Sequence, residues 1–287
     1  MKLSAIDIGS NSVRLLVWAD GRSLYKKINT TRLGEGLAQS GELSEAAMRR
    51  TAEAVALFYE QARAEGAEQV YAFATAAVRR SRNGGEFVAR VRRKCGLEVR
   101  VLTGEEEARI GFLGATEGRD GGIVDVGGAS TEITVGVGGE IIYAVSADVG
   151  AVKLKDACGE DRAALQKYID GALSVYGNVP ECRLYAIGGT ATSLCALEYE
   201  VEPYDPALID GRILTAEAVL RWADRLLSMP QAERLALKGM DKPRADILGG
   251  GALLLGSVLR HIGQEEITVS EKDNLEGFLL AKRGRSV

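Results

Sequence analysis

Two stretches gather carboxylates, hydroxyls and glycines closely enough to do chemistry. In residues 122–135 an apolar run reaches Asp125, a Gly127-Gly128-Ala129-Ser130-Thr131 turn follows, and Glu132 opens a second alternating segment. Glycines let backbone N–H groups point into a concavity that binds phosphate oxygens, and hydroxyls add donors. Asp125 and Glu132 are hard oxygen ligands suited to Mg²⁺ beside that phosphate. In residues 5–17 the order recurs: Asp7, then Gly9, then Ser10, Asn11 and Ser12, then another alternating segment. A glycine-rich hairpin with solvated acids would account for either stretch alone. It does not account for the repetition.

Further groups suit the same chemistry. Gly188-Gly189-Thr190 precedes a helical pattern, so its amides and the helix N-terminus are fitted to an anion. Arg79 sits at the corresponding place earlier in the chain, where a guanidinium can fork onto phosphate. Asp7, Asp125 and Glu132 would then hold Mg²⁺. Phosphoryl transfer mostly needs positioning and charge neutralisation, plus a group that orients or deprotonates water. Three consecutive carboxylates, Glu105, Glu106 and Glu107, open a helical stretch after Gly104. Carboxylates there complement the helix dipole, a role assigned to Glu105; one of the other two is a candidate base.

The elements that must carry these groups repeat. Residues 3–8, 12–19 and 22–29 read as an antiparallel three-stranded meander, and 122–128, 131–137 and 140–147 read as a second. Gly34 and Gly150 close the two segments. Residues 70–76 echo 184–190, and 110–113 echo 276–279. Three echoes in one order imply a duplicated α/β unit. Helices are expected at 43–66 with Ser44 as N-cap, at 84–95, 104–116, 152–158, 160–176 and 215–228, then at 230–237, 245–260 and 274–282. Strands at 70–74, 98–102, 183–188 and 266–269 alternate with them, so each half should be a mixed sheet flanked by helices. The expected domains are 1–120 and 121–287, hinged at 117–121, with the two glycine-rich loops facing each other across a cleft.

The 287 residues suffice for two cores, and the net charge of -4 disfavours a general DNA binder. Four scattered cysteines and one histidine exclude the usual zinc sites. No apolar run is long enough to span a bilayer and no signal peptide is evident, so the expected place is the cytoplasm, with no membrane partner. The basic tail 282–285 reads as a frayed end.

Residues 5–12, 72–79, 103–109, 124–132 and 187–190 resemble the motifs of the exopolyphosphatase / guanosine pentaphosphate phosphohydrolase (Ppx/GppA) family, and 150–154 and 244–248 resemble it too. The resemblance implies a duplicated actin-like, ribonuclease H-like fold and Mg²⁺-dependent hydrolysis of a terminal phosphoanhydride. Its substrates would be inorganic polyphosphate or guanosine penta- or tetraphosphate. It further implies Glu107 as the base, with Glu106 in reserve. Phosphate contacts would come from Ser10, Asn11, Arg79, Gly128, Ser130 and Gly189, and metal binding from Asp125 and Glu132. Family analogy adds a homodimer. Two departures stand out. Longer members carry a helical C-terminal region, so this chain resembles the short type. Leu275 stands where many members have an arginine before Glu-Gly, which removes a cation able to touch substrate. Two other readings use the same residues: a kinase or ATPase of the actin-like superfamily, and a non-catalytic binder of guanosine alarmones or polyphosphate.

Overall fold

The computed structural model describes residues 1–283; Gly284 and Arg285 of the expected frayed tail lie outside them. The chain divides into two compact units, and each has its own sheet.

The first unit opens with β1 (Lys2–Ile8), β2 (Ser12–Ala19) and β3 (Arg22–Thr30), the expected meander. Helices α1 (Leu37–Ser40) and α2 (Glu45–Ala64) follow, then β4 (Gln69–Ala74), α3 (Ala76–Arg80), α4 (Gly84–Cys95), β5 (Val99–Val101) and α5 (Gly104–Thr116). The Ser44 hydroxyl accepts from the Ala47 N–H, the N-cap expected of it. Strands β4 and β5 run parallel to β1, which gives the sheet order β3-β2-β1-β4-β5. Period-two alternation divides the strand residues between two cores. Ile6, Ile8, Val13 and Leu15 pack with Met48, Val55 and Phe58 of α2 and Phe87 and Val91 of α4. Leu3, Ala5, Leu16, Trp18 and Phe73 pack on the opposite face with Ile110 of α5.

The second unit repeats this plan with β6 (Gly121–Val126), β7 (Thr131–Val137) and β8 (Glu140–Ala147). Helices α6 (Ala151–Cys158) and α7 (Arg162–Leu173) precede β9 (Leu184–Ile187), α8 (Gly188–Glu198) and α9 (Pro206–Ile209). Then come β10 (Ile213–Thr215), α10 (Ala216–Ser228), α11 (Gln231–Arg234), α12 (Leu248–His261), β11 (Glu266–Val269) and α13 (Asn274–Arg283). The order β8-β7-β6-β9-β11 reproduces that of the first sheet, and β10 is added at its edge. Two mixed sheets with matching orders, flanked by helices, form the duplicated architecture expected from the repeat.

Four expectations are corrected. The first unit comprises Met1–Gly114 together with α13, and the second comprises Ala115–Asp273. The division after residue 120 and the hinge at 117–121 therefore give way to one boundary inside α5 and another before α13. The reason is apolar burial: Leu275, Phe278 and Leu279 of α13 belong to the first unit's second core, where the Phe73 and Phe278 rings stack at 4.7 Å. Leu275 is wholly buried there, so its position serves packing and not substrate contact. The helix expected at 230–237 is confined to Gln231–Arg234, and the one expected from 245 begins at Leu248. No strand is expected over β10, whose last residue, Thr215, is the expected cap of the helix that follows.

Helix α13 approaches α5 to backbone distance. A Cβ on Gly277 would lie 1.7 Å from the Ile110 carbonyl oxygen and 2.8 Å from the Gly114 nitrogen. Beside it, buried Glu276 accepts from the Ser23 hydroxyl at 2.9 Å and pairs with Lys26 at 2.9 Å, fastening α13 to β3. Gly277→Ala must push the two helices apart, and overpacking of this kind costs about 1–3 kcal/mol or more. A lowered urea midpoint with unchanged m-value is the expected readout.

Candidate active site

The groups singled out in the sequence follow the carboxyl ends of parallel strands in each unit, where open α/β sheets place their ligands. In the first unit these strands are β1, β4 and β5. In the second they are β6 and β9.

In the first unit, residues 9–12 form a tight turn closed by the Gly9 N–H donating to the Ser12 carbonyl at 3.0 Å. The following segment braces it from outside: Gly34 N–H donates to Ser10 O at 2.8 Å, and Arg32 N–H to Asn11 O at 2.8 Å. Ser10, Asn11 and Ser12 are all buried. The Asn11 Nδ2 donor is buried and has no partner among the described residues, which suits an oxygen-rich anion at this turn. Asp7 is 3% exposed and takes the guanidinium of Arg14, its cross-strand neighbour, with Nε to Oδ2 at 3.2 Å. The expected metal ligand is thus already matched by a cation.

The carboxylate run at the start of α5 is also resolved. The Glu106 N–H donates to Thr103 Oγ1 at 3.1 Å, and Glu106 Oε2 accepts from the Thr103 N–H at 3.0 Å. This reciprocal pair is a capping box. Glu106, which also pairs with Arg100, is therefore the capping residue in place of Glu105, and its reserve role as base falls away. Glu105 is exposed. Glu107 points elsewhere: its Oε2 accepts from Arg79 Nη1 at 2.7 Å, and the same nitrogen donates to Leu102 O at 2.9 Å. Arg79 and Glu107 thus meet as a mostly buried pair, 23% and 11% exposed at their side chains.

In the second unit, the Gly127 N–H donates to the Ser130 carbonyl at 3.0 Å, the same closure as in the first turn. Val152 and Lys153 N–H donate to Gly128 O at 2.9 and 3.0 Å, and Ala151 N–H donates to Gly127 O at 2.9 Å. A Cβ on Gly150 would lie 2.6 Å from the Ala129 nitrogen, so only glycine lets α6 seat against the loop. Among the described residues, the Gly128 and Ala129 N–H groups donate to no backbone carbonyl in turns or loops. Amides left in this way are donors of the kind the sequence-based reading expects at this loop. Asp125 and Glu132 face each other across β6 and β7, and Glu132 Oε1 accepts from Ser146 Oγ at 2.6 Å. An all-oxygen pair suits Mg²⁺, which takes one or two carboxylates and completes its shell with phosphate and water. No group of three carboxylate, histidine or cysteine ligands gathers among the described residues.

Gly189 lies under Arg244, whose guanidinium atoms sit 2.1–2.5 Å from where a Cβ would project. Arg244 in turn bonds Asp241 at 2.8 Å. Sequence reasoning noted the 244–248 motif and gave Arg244 no role; its one signal was that position. The Thr190 hydroxyl donates to the Val126 carbonyl at 3.0 Å, tying α8 to β6 and leaving phosphate contact to the helix-start amides. The segment carrying Arg244 is anchored by Arg234, which is buried and forks onto Glu160 at 2.8 and 2.6 Å.

The Ppx/GppA phosphatase family matches residues 19–285. This chain belongs to that family. Exopolyphosphatase 2 of Mycobacterium tuberculosis is 31% identical over 316 residues, covering 99% of each chain. The guanosine-5'-triphosphate,3'-diphosphate pyrophosphatase of Photobacterium profundum is 29% identical over 96% of this chain and 58% of its own length. The crystal structure of the Aquifex aeolicus family member is 30% identical, with a TM-score of 0.80 over 99% of this chain and 98% of that one.

The Arg234 anchor has a pH signature. Its hydrogen bonds, with help from Lys155 and against the cost of burial, hold the Glu160 carboxyl at about 2, below its ordinary 4.5. The pair's contribution is complete above pH 4.5 and is lost as pH falls toward 2. Arg234→Met should lose about 1–3 kcal/mol at neutral pH, as expected for hydrogen bonds to a charged group. Acid urea titrations should show the gap between variant and wild type closing across that window.

Proposed function

We propose that this chain is a Mg²⁺-dependent exopolyphosphatase and guanosine pentaphosphate phosphohydrolase, with Glu107 as general base. Its family and its named relatives make it a phosphoanhydride hydrolase. The observation that carries the finer reading is the division of labour on α5: Glu106 is committed to the cap, whereas Glu107 is turned onto Arg79.

The chemistry follows from these positions. The loop amides of Gly128 and Ala129, the Ser130 hydroxyl and the α8 start at Gly189 supply donors for phosphate oxygens, as do Ser10 and Asn11 of the first turn. Asp125 and Glu132 would hold the ion, which when bound neutralises phosphate charge and polarises the anhydride. Arg79 is a planar fork that a phosphate can share with Glu107. Glu107 accepts a proton from water as the water oxygen bonds to the terminal phosphorus. The bond from that phosphorus to the bridging oxygen breaks, and the chain leaves one phosphate shorter. The same reading places the protein in the cytoplasm; no helix among the described residues is long and apolar enough to cross a membrane.

Phosphate release should be measured with Mg²⁺ from long polyphosphate, short polyphosphate and guanosine pentaphosphate. Glu107→Gln is expected to lower kcat about 10²–10⁴-fold, the usual reach of general base catalysis, while substrate binding persists. Release undiminished in Glu107→Gln would remove the base assignment. No release from any substrate, with guanosine tetraphosphate still bound, would favour the alarmone binder.

A further inference from the structure

The two glycine-rich turns are braced from outside to the same end by different means. In the second unit three amides at the start of α6, those of Ala151, Val152 and Lys153, donate to the Gly127 and Gly128 carbonyls at 2.9–3.0 Å. In the first unit three amides, those of Thr31, Arg32 and Gly34, donate to the Asn11 and Ser10 carbonyls at 2.8–3.0 Å. The second brace is a helix, held rigid by its own hydrogen bonds. The first is a segment between β3 and α1 that belongs to no helix or strand, and Arg32 within it has a positive φ of 50°. A non-glycine residue there is strained and keeps that shape only where its surroundings impose it.

One side chain supplies such a restraint. Arg50 of α2 donates through Nε to the Thr31 carbonyl at 2.6 Å. That carbonyl belongs to the same peptide unit as the Arg32 N–H, which donates to the Asn11 carbonyl at 2.8 Å. A planar peptide held at both ends resists flipping, and a charged donor on its oxygen polarises and strengthens the bond made by its N–H. The chain from Arg50 through the Thr31–Arg32 peptide to Asn11 therefore fixes the backbone of a residue whose buried Nδ2 has no partner among the described residues. The other Arg50 contact is looser, Nη2 to Glu35 at 3.6 Å between exposed side chains.

We infer that Arg50 is a positioning residue for phosphate binding: it pins the Thr31–Arg32 peptide so that the side-chain amide of Asn11 stands ready for a phosphate oxygen. The inference rests on the proposed role of the first turn as a phosphate site. It gives α2, which carries none of the groups expected to touch substrate, a part in holding that site. The second turn needs no such side chain, because α6 supplies the restraint.

Steady-state hydrolysis of tripolyphosphate with Mg²⁺ tests this on the intact protein. Arg50→Met keeps the apolar stem and loses the donor. It should raise KM about tenfold, the worth of one hydrogen bond to a charged group, and leave kcat within about twofold. Arg50→Lys, which restores a charged donor, should recover most of that loss. Glu35→Gln should match the wild type, and so should Arg49→Met, which removes an exposed charge from the neighbouring position. Amide exchange over residues 31–34 should quicken in Arg50→Met while exchange over 150–153 stays as it was. An unchanged KM in Arg50→Met, an equal rise in Arg49→Met, or a fall in kcat without a rise in KM would overturn the inference and leave the hydrolase standing. Faster exchange over 150–153 as well would mark a general loosening of the fold and overturn it too. Where the wild type releases no phosphate the hydrolase reading falls; tripolyphosphate binding then decides, and Arg50→Met should weaken it by the same factor, its absence or indifference to Arg50 sinking the inference.

Discussion

The glycine-rich turn of each unit depends on one backbone hydrogen bond. Gly9 N–H to Ser12 O, and Gly127 N–H to Ser130 O, close turns of the same length at the ends of β1 and β6. Once the turn is closed, its intermediate amides have no strand to pair with. Bracing from outside, by Gly34 on Ser10 and by α6 on Gly127 and Gly128, holds the turn in that shape before any ligand arrives. A preformed ring of donors costs little reorganisation when an anion enters, and this is where an electrostatic site draws its strength.

The rest of each unit serves to aim those turns. Apolar residues on both faces of β1 need helices on both sides, and α2 and α4 cover one face while α5 and α13 cover the other. The helix that covers the second face also carries Glu107. Its position is therefore set by packing, through Ile110 in the core and through the backbone approach of Gly277. In the second unit the equivalent tie is Thr190 to Val126, with Arg234 and Glu160 fixing the segment that lays Arg244 over Gly189. Duplication supplied two similar scaffolds. Their cross-strand partners differ: Arg14 stands opposite Asp7, and Glu132 opposite Asp125.

Much of this was legible in the chain itself. Both meanders, the Ser44 cap, the helix Gly104–Thr116 and the final strand stand where alternation and capping residues put them, because local sterics and hydrogen bonding decide such elements. The repeat marked Gly34 and Gly150 as closing equivalent segments, and the structure seats them against Ser10 and against Gly128 and Ala129. Three neighbouring glutamates could not be told apart, since the helix dipole favours all of them. Only the reach of Thr103 to Glu106 and of Arg79 to Glu107 separated their roles.

The sequence by itself determined the duplicated sheets, the glycine-rich turns and the inventory of carboxylates and hydroxyls, which are properties of short windows and their recurrence. Tertiary structure decided what lies far apart along the chain. It returned α13 to the first unit, where Leu275 and Phe278 find a core that no local pattern could name. It laid Arg244 on a glycine 55 positions earlier in the numbering, Gly189. Long-range partners are chosen by which surfaces close against each other, and a linear window holds no record of that choice.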